Sequence, residues 1–427
     1  MCIRVRALRG LRFLIVTTSL SLTAGAAVGD STPSSSPLTL EEAGHLALAE
    51  QPQIVAQQAL TLAAQETAIA ERQLPDPQLM LAIEDVPVNG PDALSLTRDE
   101  MTQIMIGFAQ DFPRARSRDL RSKKAFLEGE AAAEGVDDVR RQVRRAAGLA
   151  WLEVFEGQRA LVITREVHAQ SLRFAEAAEI AYRAGRSSQA EVLAARIDAE
   201  QVADTSAMLG LDVHHARTAL ERWIGAAAER PVAAELPAMP PPPELEDLLA
   251  AVERHPQIRL LAHRVEAAQA EISLGQDEYR PGWSLEVYYA NRPEFSDMIG
   301  ARVNVGLPLF TANRQDRRLA ARQALRDESL AQREDALRSL RAEAIESQRQ
   351  WREQSARVTR YDEIILPAAR QRVAAAEAAY AAAQTPVLTM LEARRALLDA
   401  ELKRLELAVD AARGAVRCQF FTASEAA

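Results

Sequence analysis

Residues with the chemistry to cut, transfer or bind are few in this sequence, and none is arranged to do so. The six histidines are His45, His168, His214, His215, His255 and His263. His214 and His215 are neighbours that a helix turns to different sides, and no two histidines stand four apart as on a zinc-binding helix. Of the two cysteines, Cys2 falls in a leader segment and leaves Cys418 alone, so no intramolecular disulfide can form. Neither a G-x-S-x-G elbow nor a phosphate loop occurs. The reading is therefore no enzyme, no metal ligand and no cofactor. One polar set has a visible task, because Glu286, Arg302 and Asn304 share the wet side of short alternating segments, where they are predicted to face water inside a barrel.

Those segments come next. In Trp283-Ser284-Leu285-Glu286-Val287-Tyr288-Tyr289 the odd positions are apolar and Ser284 and Glu286 fall opposite. Ile299 to Leu309 repeats the alternation, and Leu79, Leu81 and Ile83 with Ile104, Ile106 and Phe108 supply an earlier pair. Roughly ten-residue segments with one greasy and one wet face are the pattern of outer-membrane strands. Trp283 and Tyr289, near the ends of one such segment, suit a lipid interface. Four strands cannot close a barrel, whose smallest bacterial form has about eight, so the barrel must be shared between chains.

The strands are set into long helices, and the arrangement occurs twice. Leu40 to Ile54 (LEEAGHLALAEQPQI) returns at Leu245 to Ile258 (LEDLLAAVERHPQI), Pro77 is matched by Pro281, Gly107 by Gly306 and Tyr182 by Tyr380. Each copy reads as a first helix (Thr39 to Gln73, Glu244 to Glu278), a β-hairpin (77–111, 281–310) and a long helix (Arg114 to Arg183, Asn313 to Ala383). A returning helix follows (Ala190 to Trp223, Leu388 to Val416). At 1.5 Å per residue the long helices span on the order of 100 Å, more than a globular domain needs. The two shorter helices of a copy together match the long one, which predicts end-to-end stacking beside it. Pro367 should kink the second long helix. The copies occupy 27–225 and 244–416, joined by a linker at 226–243 that contains Pro240 to Pro243, and 417–427 is left as a tail.

Residues 1–26 read as a secretory signal, with Arg4, Arg6, Arg9 and Arg12 before an apolar run and Ala24-Gly25-Ala26 at the cleavage point. The remainder is acidic, with a formal charge of −9 for the whole chain of 427 residues, which argues against a nucleic-acid partner. Aromatics are 5% of the residues, and alanine-rich runs such as Ala374 to Ala383 suit close helix packing around a wide ring.

Taken together the sequence resembles the TolC-type outer-membrane factor (outer membrane efflux protein) family. The most specific local match is the turn AYRAGRSSQAEVLAA from Ala181, with Tyr182, Gly185, Arg186, Val192 and Leu193; the second copy keeps Tyr380, Met390 and Leu391 but has Ala383 for the glycine and Pro386 in the turn. The junction AQDFPRARSRDLR from Ala109 resembles the CzcC-like heavy-metal branch, without its glycine-lysine pair. The resemblance implies a fold that is mainly α with a small β part. Its duplicated long-helix coiled-coil hairpins and four strands per chain would build a shared trimeric 12-stranded β-barrel and an α-helical barrel. It implies a homotrimer in the outer-membrane lipid of a Gram-negative bacterium, with a large periplasmic part. That trimer would serve a tripartite efflux system as a passive channel, heavy-metal cations being one candidate cargo, together with a periplasmic adaptor (membrane fusion protein) and an inner-membrane pump of the RND type. The turn residues would dock the adaptor, with hairpin packing the default alternative for Val192, Leu193, Met390 and Leu391. Glu191 and Glu392 would form an acidic gate at the periplasmic tip, with a solvated helix-start role as the equal alternative. The competing readings are a type I secretion duct and a periplasmic coiled-coil adaptor. The adaptor would need further domains of many short strands, and only four strands can be counted.

Overall fold

A computed structural model describes residues 36–49, 51–382 and 384–422. The leader 1–26 and Ala383 lie outside these. The chain from Pro37 onward forms one compact unit.

In the first copy, α1 (Leu40–Ala49) and α2 (Pro52–Ala70) lead to β1 (Gln78–Glu84) and β2 (Gln103–Phe112), then α3 (Ala115–Arg183) and α4 (Gln189–Ile224). The second copy repeats the order with α5 (Leu245–Glu253), α6 (Pro256–Asp277), β3 (Gly282–Asn291), β4 (Met298–Gly306), α7 (Gln315–Arg360), α8 (Leu366–Ala381) and α9 (Val387–Thr422). The single first helix expected in each copy is in fact two. Gln51 and His255 are both extended (ψ 118° and 139°), because the residue before a proline is pushed out of the helical region, and Pro52 and Pro256 then open new helices.

That break is where each copy closes on itself. The Gln51 side chain donates to the carbonyl of Trp223 at 3.1 Å, so the end of α4 meets the start of α2 alongside α3. In the second copy the end of α9 meets the start of α6, with the His255 and Phe420 rings 4.7 Å apart. Half-length helices therefore stack end to end. The main core gathers at this level: Trp151 and Phe155 of α3 stack at 5.5 Å, and the buried indole donates to the carbonyl of Leu38 at 3.0 Å.

Three boundaries differ from expectation. The segment 417–427 does not begin as a tail: α9 runs to Thr422, and Phe420 and Phe421 are buried with Leu248, Ile258 and Leu340. The linker 226–243 contributes Ala228 and Val232 to the core, and Val232 forms a parallel bridge with Leu38. The alternating run to Leu309 ends as a strand at Gly306, ahead of Pro308, which has no N–H for a ladder. The interruption expected at Pro367 is present as a π-turn, Tyr361–Ile365, just before the proline. Close packing through small residues is visible where Gly414 meets α7, since a Cβ there would lie 2.9 Å from Trp351 Cβ.

Candidate pore: one sheet and two helical tips

The four strands form a single antiparallel sheet in the order β1-β2-β3-β4. The hairpins from distant parts of the chain are joined through β2 and β3, with Phe108 opposite Val287 and Phe112 opposite Trp283. Leu79, Leu81, Ile83, Ile104, Ile106, Phe108, Val287, Tyr289, Ile299 and Val303 are all exposed, Leu81 at 70% and Ile299 at 82%. Their alternation puts them on one face, as the sequence predicted.

The other face mixes polar and small residues with Met80, Met105 and Tyr288. Glu286, Arg302 and Asn304, singled out from the sequence, are brought together: Arg302 Nη1 lies 3.1 Å from Glu286 Oε2, and Asn304 Nδ2 donates to Glu286 Oε1 at 3.2 Å. The register explains it, since Glu286 is directly opposite Arg302 across β3 and β4. Tyr288, which the sequence reading left aside, lies across Gly300, where a Cβ would be 2.3 Å from its ring, and against Gly107, where one would be 2.7 Å from its Cβ. The far ends of the two hairpins are tied by Arg292, which donates to the carbonyl of Glu100, and within the second hairpin Asp297 accepts from Tyr289 and, at 2.9 Å, from Asn291.

At the opposite end of the molecule the helices turn back. Gly185 has φ +71°, and Arg186 N–H bonds to Ala181 C=O at 2.8 Å while Gly185 N–H bonds to Tyr182 C=O at 2.9 Å, the two bonds of a Schellman turn. Ser188 then caps α4 in a reciprocal box with Glu191, whose carboxylate also accepts from the Ser187 hydroxyl at 2.6 Å. These bonds, the Ser187 one foremost, hold the Glu191 carboxyl below its ordinary pKa. Glu191 is thus occupied by its own turn, the helix-start role. Glu392 is exposed and joins no ion pair or side-chain hydrogen bond among the described residues. At the second tip Gln384 N–H bonds to Ala379 C=O at 2.9 Å.

The residues proposed from the sequence to dock a partner divide. Tyr182, Gly185, Arg186 and Leu193 are exposed and Tyr380 is half-buried. Val192, Met390 and Leu391 are buried, Met390 at 2% exposure, and pack within the hairpins. Val192 packs against Ala175 and Ala178, while Met390 and Leu391 lie against Val387, Tyr380 and Phe174 of the first hairpin. Sequence reasoning missed Phe174 and Arg394. The Phe174 and Tyr380 rings meet edge to face at 5.8 Å, and Arg394 covers Phe174 at 5.3 Å while pairing with Glu377 at 2.6 Å. Their only sequence signal was an aromatic and an arginine at matching depth in the two copies.

Among the described residues no group of three or more His, Cys, Asp or Glu could hold a metal ion, and no helix is long and apolar enough to cross a membrane.

The outer membrane efflux protein family model matches residues 248–417, most of the second copy. Solved structures with the same fold include CusC, 16% identical over 90% of this chain and 91% of that chain with a TM-score of 0.76. The Campylobacter jejuni CmeC outer membrane channel is 11% identical over 90% and 85%, with a TM-score of 0.77. The Neisseria gonorrhoeae MtrE outer membrane channel, in its open state, is 14% identical over 90% and 88%, with a TM-score of 0.69. No curated protein matches the sequence. The family model supports the resemblance drawn from the sequence over most of the second copy, and the solved structures show that the described chain shares their fold.

Proposed function

We propose that three copies of this chain close one twelve-stranded barrel across the outer membrane of a Gram-negative bacterium and continue it as a helical tube through the periplasm. This assembly is the passive exit channel of a tripartite efflux system. The observation that supports it is the sheet. Its outer strands, β1 and β4, are edges in the protomer, and one of its faces is bare and apolar. Lipid offers no partner to unpaired backbone N–H and C=O groups, so a sheet with such a face needs neighbours on both edges before it can lie in a bilayer. Four strands from each of three chains meet that need with a twelve-strand cylinder.

In that assembly Glu286, Arg302 and Asn304 line the lumen. The Glu286 charge is met by Arg302, while Glu84 and Asp111 on the same face join no ion pair among the described residues. Glu392 supplies a carboxylate ring at the periplasmic tip, where three-fold symmetry gathers its copies and favours cations, heavy-metal ions included. Glu191 sits beside the mouth but is spent on its turn. The periplasmic adaptor docks on the exposed tip surface of Tyr182, Gly185, Arg186 and Leu193, and an inner-membrane pump of the RND type provides the energy. The chain itself catalyses nothing.

Carbonate washing of membranes followed by planar-bilayer recording tests this reading. Retention in the washed membrane with discrete conductance steps is expected. Release by carbonate, or a purified protein that opens no pore, would overturn it in favour of a periplasmic scaffold.

A further inference from the structure

Both long helices begin at the strand end of the molecule, and both begin against their own dipoles. The N-terminus of a helix is electropositive and favours acids. The first ten residues of α3 instead hold Arg116, Arg118, Arg121, Lys123 and Lys124 against one acid, Asp119. Helix α7 opens with Arg317, Arg318 and Arg322 against Asp316, directly behind Arg314. Some of these charges are met inside the protein: Lys124 lies 2.6 Å from Glu271, Arg322 2.7 Å from Glu278 and Arg318 3.6 Å from Glu278. Arg116, Arg121, Lys123, Arg314 and Arg317 are exposed and take part in no ion pair among the described residues. Asp76 and Asp111, at the same end of the sheet, are exposed and join no ion pair among the described residues either, but the five cations outnumber them and leave a positive margin open to a counter-charge from outside.

Bare apolar surface borders the cluster. Leu307, Leu309 and Phe310, the last 89% exposed, fill the short stretch between the end of β4 and Arg314. At the same end of the sheet Trp283 stacks on Phe112 at 4.2 Å. The exposed apolar face of the strands therefore runs through an aromatic pair and a greasy connection into a basic margin, the sequence of layers that a protein presents from hydrocarbon to headgroup.

We infer that this margin, built from the starts of α3 and α7, binds the phosphates of anionic phospholipids in the leaflet nearest the helices. The occupant follows from charge: a zwitterionic headgroup brings its own ammonium and leaves the five cations of each protomer unmatched, whereas an anionic headgroup neutralises them. The inference rests on the membrane-spanning reading above and adds a lipid class to it.

Trp283 supplies the probe, being the one tryptophan of the sheet and exposed on its apolar face. The purified protein is reconstituted with phosphatidylcholine or phosphatidylglycerol brominated near the headgroup end of the chains, and tryptophan quenching is titrated as one lipid replaces the other. The expected result is quenching by both lipids, with phosphatidylglycerol preferred by at least about five-fold at low salt. In the variant carrying Arg116→Gln, Arg121→Gln, Arg314→Gln and Arg317→Gln the preference should fall to unity while quenching by phosphatidylcholine persists. Inorganic phosphate at matched ionic strength should leave the preference intact. Absence of quenching by either lipid would overturn the membrane-spanning reading itself. Quenching without preference, preference surviving in the variant, or its abolition by free phosphate would overturn this inference alone.

Discussion

The joint at His255 makes the sharpest energetic prediction. This side chain is 1% exposed, and its Nδ1 accepts the N–H of Gln257 at 3.3 Å, a bond that only the unprotonated nitrogen can accept. Burial, followed by the nearby positive charge of Arg141, pushes its pKa from 6.5 down to about 4, with Arg145 and Arg259 acting in the same direction. Asp138, 3.9 Å away, offers little rescue, because burial raises its own pKa. Between those two pH values the exposed imidazole of an opened joint binds a proton that the closed joint refuses. The stabilisation is fully present above pH 6.5 and is lost as pH falls towards 4, amounting to about 2–3 kcal/mol by pH 4.5 at 1.36 kcal/mol per pH unit. Hydrogen exchange on peptides from the end of α9 and the start of α6, corrected for the intrinsic rate, reads this directly. Protection should drop about fifty-fold from pH 7 to 4.5 in the wild type and only a few-fold in His255→Asn, whose side chain can cap α6 without titrating. Equal pH dependence in the two proteins would refute the argument.

The remaining predictions concern the tips and the packing. Glu191→Ala removes half of a capping box and should cost about 1 kcal/mol at neutral pH, seen as faster exchange in the first turn of α4. Because the Glu191 carboxyl sits below its ordinary pKa of 4.5, the difference from wild type should vanish as pH falls through and below that value. Gly414→Ala forces a methyl group against the backbone of Trp351 at 3.0 Å and should lower stability by about 1–3 kcal/mol in thermal unfolding. Glu392→Ala should leave single-channel opening intact and abolish block by divalent cations; unchanged block would remove Glu392 from the gate.

What could be read in the sequence was whatever depends on local period. Strict alternation placed Leu81, Ile106, Trp283 and Ile299 on one face, and Gly185 marked a turn that only a left-handed residue closes well. The matched prolines Pro52 and Pro256 are visible too, as landmarks of the repeat. Each proline also pushes the residue before it out of the helical region and so divides the first helix of its copy. Contacts between the copies stayed hidden. Nothing in the period of α9 distinguishes buried Met390 and Leu391 from exposed Leu388, because the covering surface comes from Phe174, about two hundred residues earlier. The burial of Phe420 and Phe421 likewise depends on helices α5 to α7, and a short apolar end to a chain has no period of its own.

The central claim is that the four-stranded sheet is one third of a closed barrel. The mass of the detergent-solubilised particle, with the bound detergent accounted for, tests it most directly. Three chains, each of 46.8 kDa less any cleaved leader, are expected in a particle that heating converts to monomers. A single chain that stays monodisperse and soluble without detergent would contradict the account.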